Sequence, residues 1–358
     1  MKPYTGKVLW VDLTHSNWVE ETIPEDIYRK FLGGTGLGAW LLYRSIPPGT
    51  APLGPENVLG FLPGLLTGTG SLFTGRWMVV GKSPLTGGWG DANCGGNLAH
   101  AIKQCGYDGI FFKGASAKPV YLFIDNHGPQ LLDAAHLWGK DAVETEDFLM
   151  QTHRSKKQPA VAAIGQAGEN LSLISGIVND RGRLAARSGL GAVMGSKKLK
   201  AVVLAGARRV APHDPVRIKL LSKKCSRDIR FPAKVIPARL LSIFGKLVSK
   251  LPVGFPQPGI LLAGILAKWG TFGTFPLSVG MGDTPFKNWT GTAQDLPQVL
   301  DKINPDWMLK TEQRKYYCRG CPLGCGAIVA LESKHLQESH RPEYETTASF
   351  TSMLLNDD

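Results

Sequence analysis

Lys7-Val8-Leu9-Trp10-Val11-Asp12-Leu13 alternates, and Trp18 to Ile23 follows after the turn at His15-Ser16-Asn17. A period of two marks a strand with one buried face, so the chain opens on a hairpin. Working outward, strands are expected at Val58 to Leu62, Arg76 to Val80, Gly109 to Lys113, Val120 to Asp125, Ala160 to Ile164, Leu171 to Val178 and Ala201 to Ala205. Helices are read at Ile27 to Leu32 and Leu37 to Tyr43, either side of Gly33-Gly34, and at Asn97 to Gln104, Asp141 to Thr152 and Gly191 to Leu199. Strands with interspersed helices predict an α+β fold. Past Ala211-Pro212-His213-Asp214-Pro215, long helical patterns and proline-rich connections take over. The expectation is a β-rich domain over 1–210 and a partial, mainly helical domain over 211–358.

A chain of 358 residues is long enough for two domains with cores of their own. Its 43% hydrophobic and 20% charged residues exclude a largely disordered chain. The 43 glycines exceed the usual ~7% and signal many turns and close backbone approaches. The start has no signal-peptide core, and the longest apolar run, Gly259 to Ala267, is about half a membrane span. A soluble, cytoplasmic, reducing setting is therefore expected. The net charge of +12 invites a nucleic-acid reading, but its distribution argues against one. Between Arg208 and Lys250 twelve Lys and Arg stand against Asp214 and Asp228. There Leu240, Leu241, Ile243, Phe244, Leu247, Val248 and Leu251 recur at helical spacing beside Arg239, Lys246 and Lys250. This reads as a helix packed on the core with a solvated basic face, a patch that could dock an acidic protein.

Cys318-Arg319-Gly320-Cys321-Pro322-Leu323-Gly324-Cys325 carries three thiols spaced C-x2-C-x3-C in a short loop. Such spacing lets one turn of backbone present several sulfurs to an iron-sulfur cluster while amide hydrogens point at the sulfides. A fourth ligand must come from elsewhere. Zinc remains an open reading because His335 and His340 lie downstream. Six cysteines in so long a chain argue against a disulfide framework.

The densest glycine region runs from Thr74-Gly75-Arg76 to Lys82-Ser83-Pro84-Leu85-Thr86-Gly87-Gly88-Trp89-Gly90-Asp91-Ala92-Asn93-Cys94-Gly95-Gly96-Asn97. So few side chains before a helix start let backbone amides approach an anion. Gly75 to Ser83 is one residue too long for a P-loop, and Gly189 to Gly195 carries one residue more than the dinucleotide fingerprint. Arg76, Arg181, Arg183 and Arg187 supply guanidinium donors suited to phosphate oxygens, or are ordinary surface arginines.

Together, Gly6 to Thr14, Phe31-Leu32-Gly33-Gly34-x-Gly36-Leu37, Lys82 to Gly87, Ala163-Ile164-Gly165-x-Ala167-Gly168-Glu169-Asn170 and Gly189 to Ala201 resemble the aldehyde ferredoxin oxidoreductase family. The match runs through essentially the whole chain in order. The resemblance implies a tungsten or molybdenum bis-pterin cofactor, a 4Fe-4S cluster and a β-rich two-sheet domain on which the pterins lie, completed by helical domains. It assigns Cys318, Cys321 and Cys325 to the cluster and Arg76 to a place between cluster and pterin. Asn93 and Gly95 fall at the loop that meets the pterin phosphates and their bridging magnesium, Asn93 through its carbonyl. Arg183, Leu184 and Ala185 fall at a second such loop, where the family has a small residue in place of Leu184. Tyr344 and Glu345 match a pair near the metal, with Glu345 the general base; without the resemblance Glu345 reads as a helix N-terminal acid.

The implied reaction is oxidation of a small aldehyde to its carboxylic acid, with ferredoxin as acceptor; a homodimer is admitted. No nucleic acid and no membrane span are expected. Family members are considerably longer, and the fourth cysteine, the later pterin loops and a histidine near the metal would lie beyond Asn356-Asp357-Asp358. A truncated chain with exposed apolar surface is therefore expected. Reduction of an aromatic acyl-CoA ring at the same cofactor, a non-catalytic cofactor-binding remnant and a zinc-bound nucleic-acid binder are the competing readings.

Overall fold

A computed structural model describes residues 3–155, 157–229, 240, 241, 243, 247, 259–291, 303–330, 338–347 and 349. The chain divides into two compact units, Met1–Ser222 with Cys318–Gly320, and Lys223–Tyr317 with Cys321–Asp358.

The first unit is built on two six-stranded mixed sheets. One contains β1 (Lys7–Asp12), β2 (Asn17–Thr22), β3 (Leu59–Pro63), β4 (Trp77–Lys82), β5 (Trp89–Cys94) and β6 (Ile110–Lys113), in the order β2-β1-β6-β3-β4-β5. The other contains β7 (Val120–Ile124), β8 (Pro129–Asp133), β9 (Ala160–Ala163), β10 (Ile177–Asn179), β11 (Arg183–Ala185) and β12 (Leu199–Leu204), in the order β11-β10-β9-β12-β7-β8. Each sheet has one parallel pair, β1 with β6 and β7 with β12.

Strand alternation separates the cores. Leu9, Val11, Phe61, Trp77 and Phe112 share one cluster with Leu122, Val202 and Leu204 of the other sheet, and with buried residues of α3 (Leu98–Gln104) and α6 (Leu190–Ser196). On the opposite face of the first sheet, Val8, Val80 and Phe111 pack against α1 (Glu25–Phe31) and α2 (Thr35–Ser45). Val161, Ala201 and Val203 turn to Leu149 of α4 (Ala142–Thr152), and the one-turn α5 (Gln166–Glu169) follows β9. The predicted α+β class with a two-sheet N-terminal region is what the structure shows.

Three local readings change. The glycine-rich stretch holds a strand, β5, whose inward residues Gly90, Ala92 and Cys94 are too small, and whose Asp91 and Asn93 are too polar, to look like one. Its register against β4, Trp77 opposite Cys94, supplies what propensity does not. Leu171 to Val178 is strand only from Ile177, and the short hairpin β10–β11 was not read. The helix read as Gly191 to Leu199 stops at Ser196, because Lys198 adopts φ +53° and Leu199 already begins β12.

In the second unit, helices Gly259–Trp269, Phe275–Met281 and Pro305–Thr311 accompany a sheet that helical patterning did not reveal. It joins β13 (Glu312–Tyr316), β14 (Gly326–Ala330) and β15 (Glu338–His340), each antiparallel to its neighbour. The basic helix read over 239–251 falls mostly outside the described residues. Of those described, Leu241 is buried with Ile265, Trp269 and Leu277, while Leu240, Ile243 and Leu247 are exposed. His335 and 356–358 also lie outside. Among the described residues no helix is long and apolar enough to cross a membrane.

Candidate functional site: a glycine corner beside Cys318

The β4–β5 pairing ends at Trp77 and Cys94, and the chain just beyond it forms the corner. Arg76 donates from Nε to the Asn93 side-chain oxygen, and from Nη2 to the Asn93 carbonyl at 3.2 Å. That carbonyl keeps one lone pair for a further partner. Asn93 Nδ2 reaches the Met78 sulfur at 2.7 Å, which fixes the amide.

Gly95 follows. A Cβ there would stand 2.5 Å from Cys318 Sγ and 3.7 Å from a terminal nitrogen of both Arg76 and Arg183. One thiol and two guanidinium groups thus converge on a residue that has no side chain. Gly96 donates its N–H to Cys318 Sγ at 3.4 Å. Its φ of +97° suits glycine, and a Cβ would collide with the Asp180 carboxylate.

Buried polar groups hold the corner. Trp77 Nε1 and Asn179 Nδ2 both donate to the Gly95 carbonyl, at 3.1 and 3.2 Å. The Cys94 thiol, pushed up to about 12 by burial, donates to Asn179 Oδ1. Asp180 accepts from the Asn97 N–H at 2.8 Å, and burial raises its pKa. Asp180 and Arg181 both take positive φ in the β10–β11 turn, a conformation that must be held from outside. Glu146 does so, accepting the Arg181 N–H at 2.8 Å; its own pKa is raised to about 7 by burial.

In β11, Arg183 pairs with Asn179, Leu184 is exposed, and Ala185 is fully buried. The structure thus brings Arg76, Asn93, Gly95, Arg183 and Cys318 together. Sequence reading missed Trp77, Glu146, Asn179 and Asp180. The signal for the last two was Asn179-Asp180-Arg181-Gly182, a turn sequence between short strands.

In the second unit, Tyr316 pairs with Gly326, so Cys318 to Cys325 is the connection of a β-hairpin. Cys321 and Cys325 belong to this unit, and all three thiols are unbridged. Buried Arg341 donates to the Cys325 carbonyl at 2.6 Å and pairs with Glu312 at 2.8 Å. Arg341, which sequence reading passed over, therefore ties the hairpin base to the segment that carries Tyr344 and Glu345. Tyr344 packs near Phe272 and Phe275 and donates to Glu345 Oε1 at 3.2 Å; Glu345 is exposed. His340 is engaged with the Tyr316 hydroxyl at 2.8 Å. Among the described residues no three His, Cys, Asp or Glu side chains converge as ligands of one ion.

Residues 8–206 match the model of the aldehyde ferredoxin oxidoreductase N-terminal domain, and residues 260–358 match that of domains 2 and 3. A tungsten-containing aldehyde ferredoxin oxidoreductase of Pyrococcus abyssi is 34% identical over 99% of this chain and 53% of its own. That of Thermococcus kodakarensis is 35% identical over 95% of this chain and 51% of its own. The active-site complex BamBC of benzoyl coenzyme A reductase, solved with 1,5-dienoyl-CoA, superimposes with a TM-score of 0.79 at 30% identity, covering 99% of this chain and 51% of that one. The chain spans about half the length of the curated relatives it matches. With family models matching both its parts and relatives a third identical along nearly all of it, the chain belongs to the aldehyde ferredoxin oxidoreductase family.

Proposed function

We propose that this chain supplies the pterin platform and three cluster ligands of an oxidoreductase that converts aldehydes to carboxylic acids and passes the electrons to ferredoxin. The observation that carries the reading is the Gly95 corner, where Cys318, Arg76 and Arg183 meet over a residue without a side chain. In this reading Cys318, Cys321 and Cys325 hold a 4Fe-4S cluster. Asn93, with its carbonyl, Gly95 and the Arg183-Leu184-Ala185 strand face the pterin phosphates and magnesium. The domain over 1–210 is the platform, and that over 211–358 carries the cluster loop and Glu345.

When bound, the tungsten bis-pterin centre supplies a two-electron oxidant and the cluster a one-electron outlet. The protein does the rest. Arg76, already bonded to Asn93, stands as a fixed cation where negative charge gathers, so no side chain has to reorganise as charge passes. The Gly96 N–H bond to Cys318 Sγ stabilises the thiolate without adding charge. Glu345 takes the proton from water or from the hydrated carbonyl, with the Tyr344 hydroxyl bonded to one of its carboxylate oxygens.

Two measurements test this. The chain expressed anaerobically with tungstate should contain tungsten and about four irons, and Cys318→Ser should lower the iron. In the intact enzyme Glu345→Gln should retain both metals and lose about 100-fold or more in turnover; unimpaired turnover removes Glu345 from its role. The BamBC likeness favours a second reading, reduction of an aromatic acyl-CoA ring. Assays of benzoyl-CoA against simple aldehydes separate the two.

A further inference from the structure

We propose that the first unit carries a second site, away from the Gly95 corner, that binds a multiply charged oxyanion of the phosphate class. A cavity of about 520 Å³ lies between the Gly68 to Ser71 loop and the segment Ala207 to Val210. That volume is within the range of small-molecule sites. Lys157, Arg208, Arg209 and Arg319 line it, together with His100.

Among the described residues none of these four cations has a carboxylate within ion-pair distance, whereas Arg29, Arg44, Arg181 and Arg341 all do. Four like charges around one hollow repel one another, and the field they sum to attracts an anion. Three are guanidinium groups, whose paired donors match phosphate oxygens.

The arms are anchored through their backbone. Arg208 N–H donates to the Gln104 carbonyl at 2.9 Å, and its side chain lies over Gly106, where a Cβ would come within 3.0 Å of it. Arg319 is seated on Gly75, whose added Cβ would stand 3.1 Å from its nitrogen, and Phe73 donates to the Gly320 carbonyl at 2.9 Å. Gly70, at φ +88° with open space where a Cβ would be, leaves its backbone accessible on one wall. His100 adds a ring nitrogen, Nδ1, buried without a hydrogen-bond partner. Burial and the Arg319 charge lower its pKa to about 4, so near neutral pH the ring is uncharged and has a hydrogen-bonding nitrogen to offer.

Isothermal titration of the 358-residue chain with sodium pyrophosphate at low ionic strength tests the site. A saturable event that depends on Arg208 and Arg209 is expected. The double variant Arg208→Gln/Arg209→Gln should weaken it about ten-fold or more, whereas Arg29→Gln, a surface arginine paired with Glu25, should leave it unchanged. Absence of saturable binding, or equal weakening by Arg29→Gln, overturns the proposal. Should the double variant not fold, the wild-type chain still decides: pyrophosphate must slow phenylglyoxal modification of Arg208 and Arg209, and equal labelling with and without it refutes the site. The cavity shares no lining residue with the Gly95 corner, and the labelling of Arg208 and Arg209 reads it directly.

Discussion

At α6, Gly191 and Gly195 face backbone: a methyl on Gly195 would fall inside the Gly168 carbonyl, and one on Gly191 would stand 2.6 Å from that of Gly176. At Gly95 and Gly96 the near neighbours are side-chain groups, the Cys318 thiol, two guanidinium groups and the Asp180 carboxylate. Backbone cannot retreat from an added methyl without moving a strand or helix, but a side chain can turn away. The first corner is therefore a packing joint and the second a cradle, although both read as glycine-rich loops before a helix.

The comparison breaks most sharply at Gly195→Ala. Overpacking against backbone should cost about 4 kcal/mol or more, enough to unfold the first unit, visible in the urea midpoint. A near-native midpoint would deny that α6 is a joint.

Next in size is Glu146, which holds the turn carrying Asp180. Its pKa is raised in the folded state, so its neutral form is the stabilising one. That stability is fully present below the unfolded value near 4.5 and is lost as pH rises through about 7. Between these limits the loss is on the order of 3 kcal/mol. Glu146→Gln keeps an acceptor for the Arg181 N–H and should flatten the profile; an unchanged slope in pH-dependent urea unfolding would assign it to other groups.

Asn179→Ala removes one donor to the Gly95 carbonyl and the acceptor of the Cys94 thiol, at a cost of about 1–3 kcal/mol. It should leave α6 untouched, as hydrogen exchange there would report.

Smallest in stability is Gly95→Ala, at about 1 kcal/mol, because the Cys318 side chain can move aside. Its effect should fall on iron content, reduced to about half or less after anaerobic reconstitution. Full iron occupancy would make Gly95 an ordinary turn.

Legibility followed the same division. Strands β1, β3 and β4 of the first sheet show in the sequence because Leu9, Val11, Phe61 and Val79 obey a period of two. β5 does not show, since Gly90, Asp91, Ala92 and Asn93 are chosen for what lies beside them and not for strand formation. Cys318 was legible from the spacing of its three thiols, and the places of Arg76 and Gly95 only through the family resemblance. Their supports were not, because Asn179 and Asp180 act across more than eighty residues of sequence from a turn with no chemistry of its own, and Trp77 reaches the Gly95 carbonyl from the strand beside it. Lys197 and Lys200 are both fully buried, the first donating to the Gly114 carbonyl and the second paired with Glu169, where composition suggests surface. Arg341 was hidden for a like reason: its partners, Cys325 and Glu312, come from the two flanks of the hairpin.

The pairing of β1 with β6 has a consequence for how the chain is made. The second residue of that pair lies about a hundred positions downstream, at Ile110 to Lys113, and Asp108 there also receives the N–H groups of Thr5 and Gly6. During synthesis the opening hairpin must wait, one edge unsatisfied, until β6 has left the ribosome. Such distant strand closure is slow, so the β1–β2 hairpin is the part of the first sheet that stays open longest.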